Sequence, residues 1–110
     1  MVFRAVKAEH SDASAIGVII GDEEKNYYVT GDTLYNSEIF PDITEDICAL
    51  FLPVNGVGNN MNVTDAALFA QQIGAEQTIP MHYGLFDELR AEDFDLPGKR
   101  LMKPFVAEEF

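Results

Sequence analysis

Ile47-Cys48-Ala49-Leu50-Phe51-Leu52, closed by Pro53, is apolar at every position before the proline. A strand with one wet face alternates apolar and polar residues, whereas one with no polar residue is covered on both faces. The stretch therefore predicts a central buried strand that stops at Pro53. Outward from it toward the C-terminus, Val63 to Ile73 has the period of a helix. Ala66, Phe69, Ala70 and Ile73 fall on one stripe, Asn62 can cap the start, Asp65 complements its positive end, and Gly74 closes it. Gln77-Thr78-Ile79-Pro80-Met81 reads as a short strand delivering His82 to a loop, and Leu85 to Arg90 as a second short helix. Toward the N-terminus, Tyr27 to Thr30 and Ala15 to Ile20 read as strands joined through the turn residues Gly21 to Asn26. Val2 to Ala8 alternates in part, as a half-buried or edge strand does. Leu34 to Phe40 predicts a turn or two of helix ended by Pro41. Four strands, a helix, a strand and a helix make an α+β fold, a mixed β-sheet with its helices on one face. The buried-strand composition requires that something also cover the other face.

The chain has 110 residues, room for one domain spanning 1–110, and its 47% hydrophobic content is enough for a core. Seven Lys and Arg against 19 Asp and Glu give a net charge of −12. Such an acidic protein repels nucleic acid and anionic membrane surfaces, so neither is expected as a partner. No apolar run approaches the roughly 20 residues of a membrane helix, and Met1 to Arg4 leads into a strand with no signal-peptide core, which predicts a cytoplasmic protein. The single cysteine, Cys48, excludes an internal disulfide framework and a thiolate zinc site. Within its apolar strand it reads as a small core residue. The Asn62-Val63-Thr64 sequon is idle in a cytoplasmic protein. Gly56-Val57-Gly58 lacks the third glycine of a dinucleotide loop, and the acidic runs Asp22 to Glu24 and Glu108-Glu109 are solvated surface.

Chemistry-bearing residues gather at strand ends. His10 follows the first strand in Glu9-His10-Ser11-Asp12, Asp32 follows the third in Gly31-Asp32-Thr33, and His82 follows the fifth in Pro80-Met81-His82-Tyr83-Gly84. Imidazole and carboxylate at one sheet edge suit zinc, iron or manganese. By spacing alone, solvated loop histidines and a plain Gly-Asp-Thr turn explain the same residues, and both readings stand. Asn55 to Asn60 follows the central strand at the same edge, where Asn55 and Asn60 are candidates for substrate contact. Tyr83, beside His82, is another, and Tyr35 lies near Asp32.

Taken together, Ala8 to Asp12, Ala15 to Ile20, Tyr28-Val29-Thr30-Gly31-Asp32-Thr33 and Ile79-Pro80-Met81-His82-Tyr83-Gly84 resemble the second half of a metallo-β-lactamase-fold hydrolase, in particular the L-ascorbate-6-phosphate lactonase branch. The resemblance implies that the chain is the C-terminal half of an α/β/β/α sandwich. It implies that His10 completes the ligands of a first metal ion, that the catalytic carboxylate Asp32 bridges two ions, and that His82 completes the second. The metals, zinc or manganese, would activate water to hydrolyse a lactone or phosphoester, and would supply the positive charge that a small anionic substrate needs in so acidic a protein.

The His-x-His-x-Asp-His motif of that family, which supplies the remaining ligands from the N-terminal half, is nowhere in the chain. By the family's pattern each metal would meet two residues of this chain, short of the three protein ligands of a catalytic zinc. Weak metal binding or none, and no activity alone, are therefore expected. The chain then reads either as part of a longer protein or as a natural remnant. A half-sandwich exposes an apolar sheet face, so a homodimer imitating the full sandwich is expected. The alternative reading is a non-catalytic self-association or partner-binding module derived from such an enzyme.

Overall fold

The computed structural model describes residues 1–83, 95–103 and 105–110. Five strands, β1 (Val2–Lys7), β2 (Ile16–Gly21), β3 (Asn26–Val29), β4 (Ala49–Pro53) and β5 (Gln77–Met81), lie side by side in chain order in one sheet. The pairs β1–β2 and β2–β3 are antiparallel, and β3–β4 and β4–β5 are parallel. It follows that β1, β3, β4 and β5 all run one way and β2 alone runs back. Four strand C-termini therefore open onto the same sheet edge, and the loops holding His10, Asp32, Asn55 to Asn60 and His82 all start there.

The mixed sheet and the α+β class hold. The helix α1 (Val63–Ile73) has the predicted bounds: the Asn62 side chain accepts from the Asp65 amide at 2.8 Å, and Gly74 ends it in the left-handed region at φ 69°. Its stripe buries Ala66, Phe69 and Ala70 completely, with Ile73 half-buried beside them. The second helix expected over Leu85 to Arg90 lies outside the described residues. Two local expectations shift. Residues Ser37–Asp42 form a short 3-10 helix that runs through Pro41 instead of stopping before it. Asn36 caps it by accepting from the Glu38 amide at 2.9 Å, and in so short a helix the N–H that proline lacks removes a single bond. Strand β4 begins at Ala49, and Cys48, just before it, is half-buried with its Sγ 3.9 Å from Glu76 Oε2, so it is not a fully buried core residue.

The core lies between the sheet and α1. Val6, Ile19, Tyr28, Leu50 and Leu52 from the strands meet Ala66, Phe69 and Ala70 from the helix, with Ile39 from the 3-10 helix and Met61 from the loop. Phe69, fully buried, is the hub of an aromatic cluster, with ring centroids 4.9 Å from Phe40, 6.1 Å from Tyr28 and 6.4 Å from Tyr35. Burial raises the Tyr28 hydroxyl pKa above the ordinary tyrosine range. Arg4 on β1 forks onto Glu45 at 2.7 and 2.8 Å and donates to the Asp42 carbonyl at 2.8 Å, clamping the edge strand to the chain that follows the 3-10 helix.

The opposite sheet face is partly roofed. Beyond β5, the chain bonds to its edge through Thr78 N to Gly98 O and Arg100 N to Thr78 O, both at 2.8 Å. It then crosses the back of the sheet, where the Phe110 ring lies 5.7 Å from that of Phe51 and the Arg100 guanidinium sits 4.4 Å above Phe110. Ala49 and Ile79 on this face are buried, while Phe3 and Ile16 at the β1–β2 end are 65% and 53% exposed. The covering that the composition requires is thus supplied over β4 and β5 by the chain's own C-terminal segment.

Candidate functional site

Each loop at the common edge is tied to its neighbours by backbone-level bonds. Glu9 bridges to Leu34: the Leu34 amide donates to the Glu9 carbonyl at 2.8 Å, and the Glu9 amide donates to the buried Thr33 hydroxyl at 2.8 Å. Asn36 reaches back to the Glu9 carboxylate at 3.0 Å. The loop after β4 docks on the same residues, the Met61 amide donating to the Thr33 carbonyl at 2.9 Å, and its Asn59 side chain donates to Ser11 Oγ at 3.0 Å. The Val54 amide bonds the Met81 carbonyl at 3.2 Å, fixing that loop against the end of β5. Thr33, the last residue of the Gly-Asp-Thr turn, is the hub through which three of the four loops are joined.

Gly31 starts the turn that presents Asp32. Its φ is 67°, and a Cβ there would lie 2.7 Å from the Ile16 carbonyl oxygen, so the position needs both the left-handed conformation and the absence of a side chain. His82 leaves β5 with φ 58°, an unusual conformation for a residue with a side chain, held by its surroundings. The two side chains meet: His82 Nδ1 lies 3.2 Å from Asp32 Oδ1, both about half exposed. Asn60 approaches the same ring nitrogen, its Nδ2 at 3.4 Å. Asn60 is only 6% exposed, and its Oδ1 is buried with no hydrogen-bond partner.

The structure therefore brings Asp32, His82 and Asn60 together. His10 sits in a neighbouring loop with its Nδ1 accepting from the Asp12 amide at 3.1 Å. The Asp12 carboxyl is held below the usual range, first by the Ser14 hydroxyl bond and then by the Ser14 amide. Asn55 turns its carboxamide oxygen to the Val57 amide at 3.4 Å, a bond within its own loop. Tyr83 packs against the edge of the core, and Tyr35 stands edge-on to Phe40 and Phe69.

Asp32 supplies carboxylate oxygen and His82 imidazole nitrogen, donor types that suit zinc or manganese, and the two side chains are held in contact through His82 Nδ1 at 3.2 Å. The pair fits as two donors of a metal centre. Among the described residues, no group of three or more His, Cys, Asp or Glu is placed to hold an ion. Also among the described residues, no helix is long and apolar enough to cross a membrane.

No protein-family model matches the chain. Curated relatives do: a UPF0173 metal-dependent hydrolase of Bacillus thuringiensis is 31% identical over 84 residues, 76% of this chain and 37% of the relative, and one of Bacillus mycoides is 32% identical over the same length. The chain thus spans little more than a third of the curated relatives it matches. Among solved structures, Igni18, a metallo hydrolase of Ignicoccus hospitalis, superposes with a TM-score of 0.75 and 27% identity, over 93% of this chain and 49% of that one. A metallo-beta-lactamase fold protein of Bacillus subtilis, YhfI, shares the fold at TM-score 0.69 and 22% identity, over 92% of this chain and 46% of that one.

Proposed function

We propose that this chain, which carries about half of a metallo-β-lactamase fold and is a homologue of metal-dependent hydrolases, is the C-terminal half of such an enzyme and supplies part of its metal-ligand set, inactive until the other half is present. The observation that carries the reading is the convergence of Asp32 and His82 at one strand-end edge, 3.2 Å apart, with no third donor beside them among the described residues. His10, one loop away, is the third ligand of the proposed set. The ligand chemistry admits zinc or manganese. Lactone or phosphoester hydrolysis, along the lactonase line of resemblance, belongs to the completed site, as does recognition of a small anionic substrate.

The test is metal binding by the chain with and without a complementing half. Equilibrium dialysis against zinc and against manganese is expected to leave the chain alone far below one ion per molecule at micromolar metal. Adding the N-terminal half of a related hydrolase, with its His-x-His-x-Asp-His, is expected to raise occupancy toward stoichiometric, and His82→Ala to abolish the gain. Stoichiometric binding by the chain alone that His10→Ala or His82→Ala removes would show a working site and overturn the reading of a dependent half.

The exposed Phe3 and Ile16 at the β1–β2 end of the sheet favour a second reading, a self-association module whose occupant on that face is a second copy of the chain. With −12 on each copy, such a dimer should tighten as salt rises. Sedimentation showing a clean monomer at high protein concentration and high salt would exclude it.

A further inference from the structure

We propose that Asn60 is a positioning residue for His82: its buried carboxamide holds the Nδ1 edge of the ring and keeps the neutral imidazole protonated there, leaving Nε2 as the nitrogen available to a ligand. The inference deepens the reading above only in taking His82 as the donor that matters.

Three observations converge. The amide is placed from within, because the loop that carries it has three left-handed residues, Gly56, Gly58 and Asn59, and is pinned by Gly56 N to Met61 O at 3.0 Å, by Met61 N to Thr33 O and by Asn59 to Ser11. It is buried to 6% exposure with one oxygen unpartnered, an arrangement that destabilises the fold unless the amide has a polar target, and the ring of His82 is within its reach. Finally, both groups that approach the ring, Asp32 and Asn60, do so at Nδ1, and among the described residues Nε2 has no partner.

The charges decide the tautomer. A carboxylate 3.2 Å from a ring nitrogen repels a lone pair and attracts N–H, so neutral His82 carries its proton on Nδ1. A carboxamide has the same shape either way round. Turned end for end from the orientation in which Nδ2 faces the ring, it sets Oδ1 opposite Nδ1–H, which gives the ring proton a second acceptor and leaves the amide nitrogen in place of the oxygen as the buried atom without a partner. The two acceptors differ in kind. Asp32 is about half exposed and free to turn to another partner, whereas Asn60 is fixed in the interior. When Asp32 is drawn elsewhere, Asn60 keeps the proton on Nδ1 and the ring in register.

The two histidines make the experiment self-calibrating, because His10 accepts the Asp12 amide at Nδ1 and so must carry its neutral proton on Nε2. Long-range proton–nitrogen correlation spectra of the full chain, labelled with nitrogen-15 and kept in chelator at a pH where both rings are neutral, read each tautomer directly. In the wild type, His82 is expected as Nδ1–H and His10 as Nε2–H. Asp32→Ala should leave His82 mainly Nδ1–H. Adding Asn60→Ala should lower its Nδ1–H to Nε2–H ratio about fivefold, the ratio that one neutral hydrogen bond sets, with His10 unchanged. Asn60→Asp, of the same shape and an acceptor only, should keep Nδ1–H, and it serves if the alanine variant fails to fold. His82 found as Nε2–H in the wild type or in Asn60→Asp, or a ratio unmoved by Asn60→Ala, overturns the proposal. None of these readings involves a metal, so they stand or fall apart from the ligand role of His82.

Discussion

Gly31 and Gly74 share a backbone conformation, φ 67° and 69°, but not their surroundings, which allows the steric demand at the Asp32 turn to be measured separately. At Gly74 a Cβ meets nothing within 4 Å. Gly74→Ala therefore costs only the left-handed penalty of about 1–2 kcal/mol. Reduced freedom of the unfolded chain offsets about 0.4–1 kcal/mol of that, for a net loss of about 1 kcal/mol. At Gly31 the new methyl faces the Ile16 carbonyl oxygen at 2.7 Å, a backbone atom of β2 that cannot rotate away. Overpacking of that kind adds about 1–3 kcal/mol, so Gly31→Ala should lose about 3 kcal/mol in all. The difference of about 2 kcal/mol corresponds to a melting temperature about 10 °C lower for Gly31→Ala in a domain of this size. Urea unfolding followed by far-ultraviolet circular dichroism and by tyrosine fluorescence measures both variants, with an unchanged m-value showing that the unfolded state is the same. Losses that agree within about 0.5 kcal/mol, inside the usual spread for surface substitutions, would refute the contact argument.

The Arg4–Glu45 clamp predicts a pH dependence. The Arg4 hydrogen bond holds the Glu45 carboxyl below its ordinary value, so its contribution is complete above the unfolded glutamate pKa near 4.3 and is lost as pH falls through the lower folded value. At pH 7 Glu45→Gln should cost about 1–2 kcal/mol, a forked ion pair discounted for its partial exposure, and the gap to wild type should close in acid. A gap unchanged from pH 7 to pH 2 would refute the assignment. In the core, Phe69→Ala should cost about 3–5 kcal/mol, and Phe69→Leu, which keeps most of the apolar contact and loses the ring pairs, roughly 1–2 kcal/mol. Chemical denaturation checks both, and a Phe69→Leu loss near zero beside the full Phe69→Ala loss would show that the aromatic cluster adds nothing beyond volume.

Elements whose signal is local were legible in the sequence. Helix α1 has its cap, stripe and closing glycine within the consecutive residues Asn62 to Gly74, and Ile47 to Leu52 announces a doubly covered strand by having no polar residue. Asp32 and His82 were legible because each follows a strand at a turn. Their meeting was legible only through the family resemblance, since from the residues alone it depends on the parallel register of β3, β4 and β5. Asn60 was read as a surface amide for substrate, and nothing in Gly58-Asn59-Asn60 says that its side chain turns inward. That follows from the left-handed conformation at Asn59 and the pin from Met61 to Thr33. Arg4 and Glu45, 41 residues apart, left no mark that a local reading can find. The segment that roofs β4 and β5 carries too little periodicity to be placed, because it holds on through one edge pairing and a few side chains.

Because only β2 runs against the other strands, the two rims of the sheet differ in how much change they can absorb. The rim with Asp32 and His82 is cross-braced, so a change of length in one of its loops disturbs the others through Thr33. The far rim holds the turn from Asp22 to Lys25, the approach to β4 and the turn after Gly74, none of which touches that bracing. Peptide insertions and labels should be accommodated there without moving the Asp32–His82 pair.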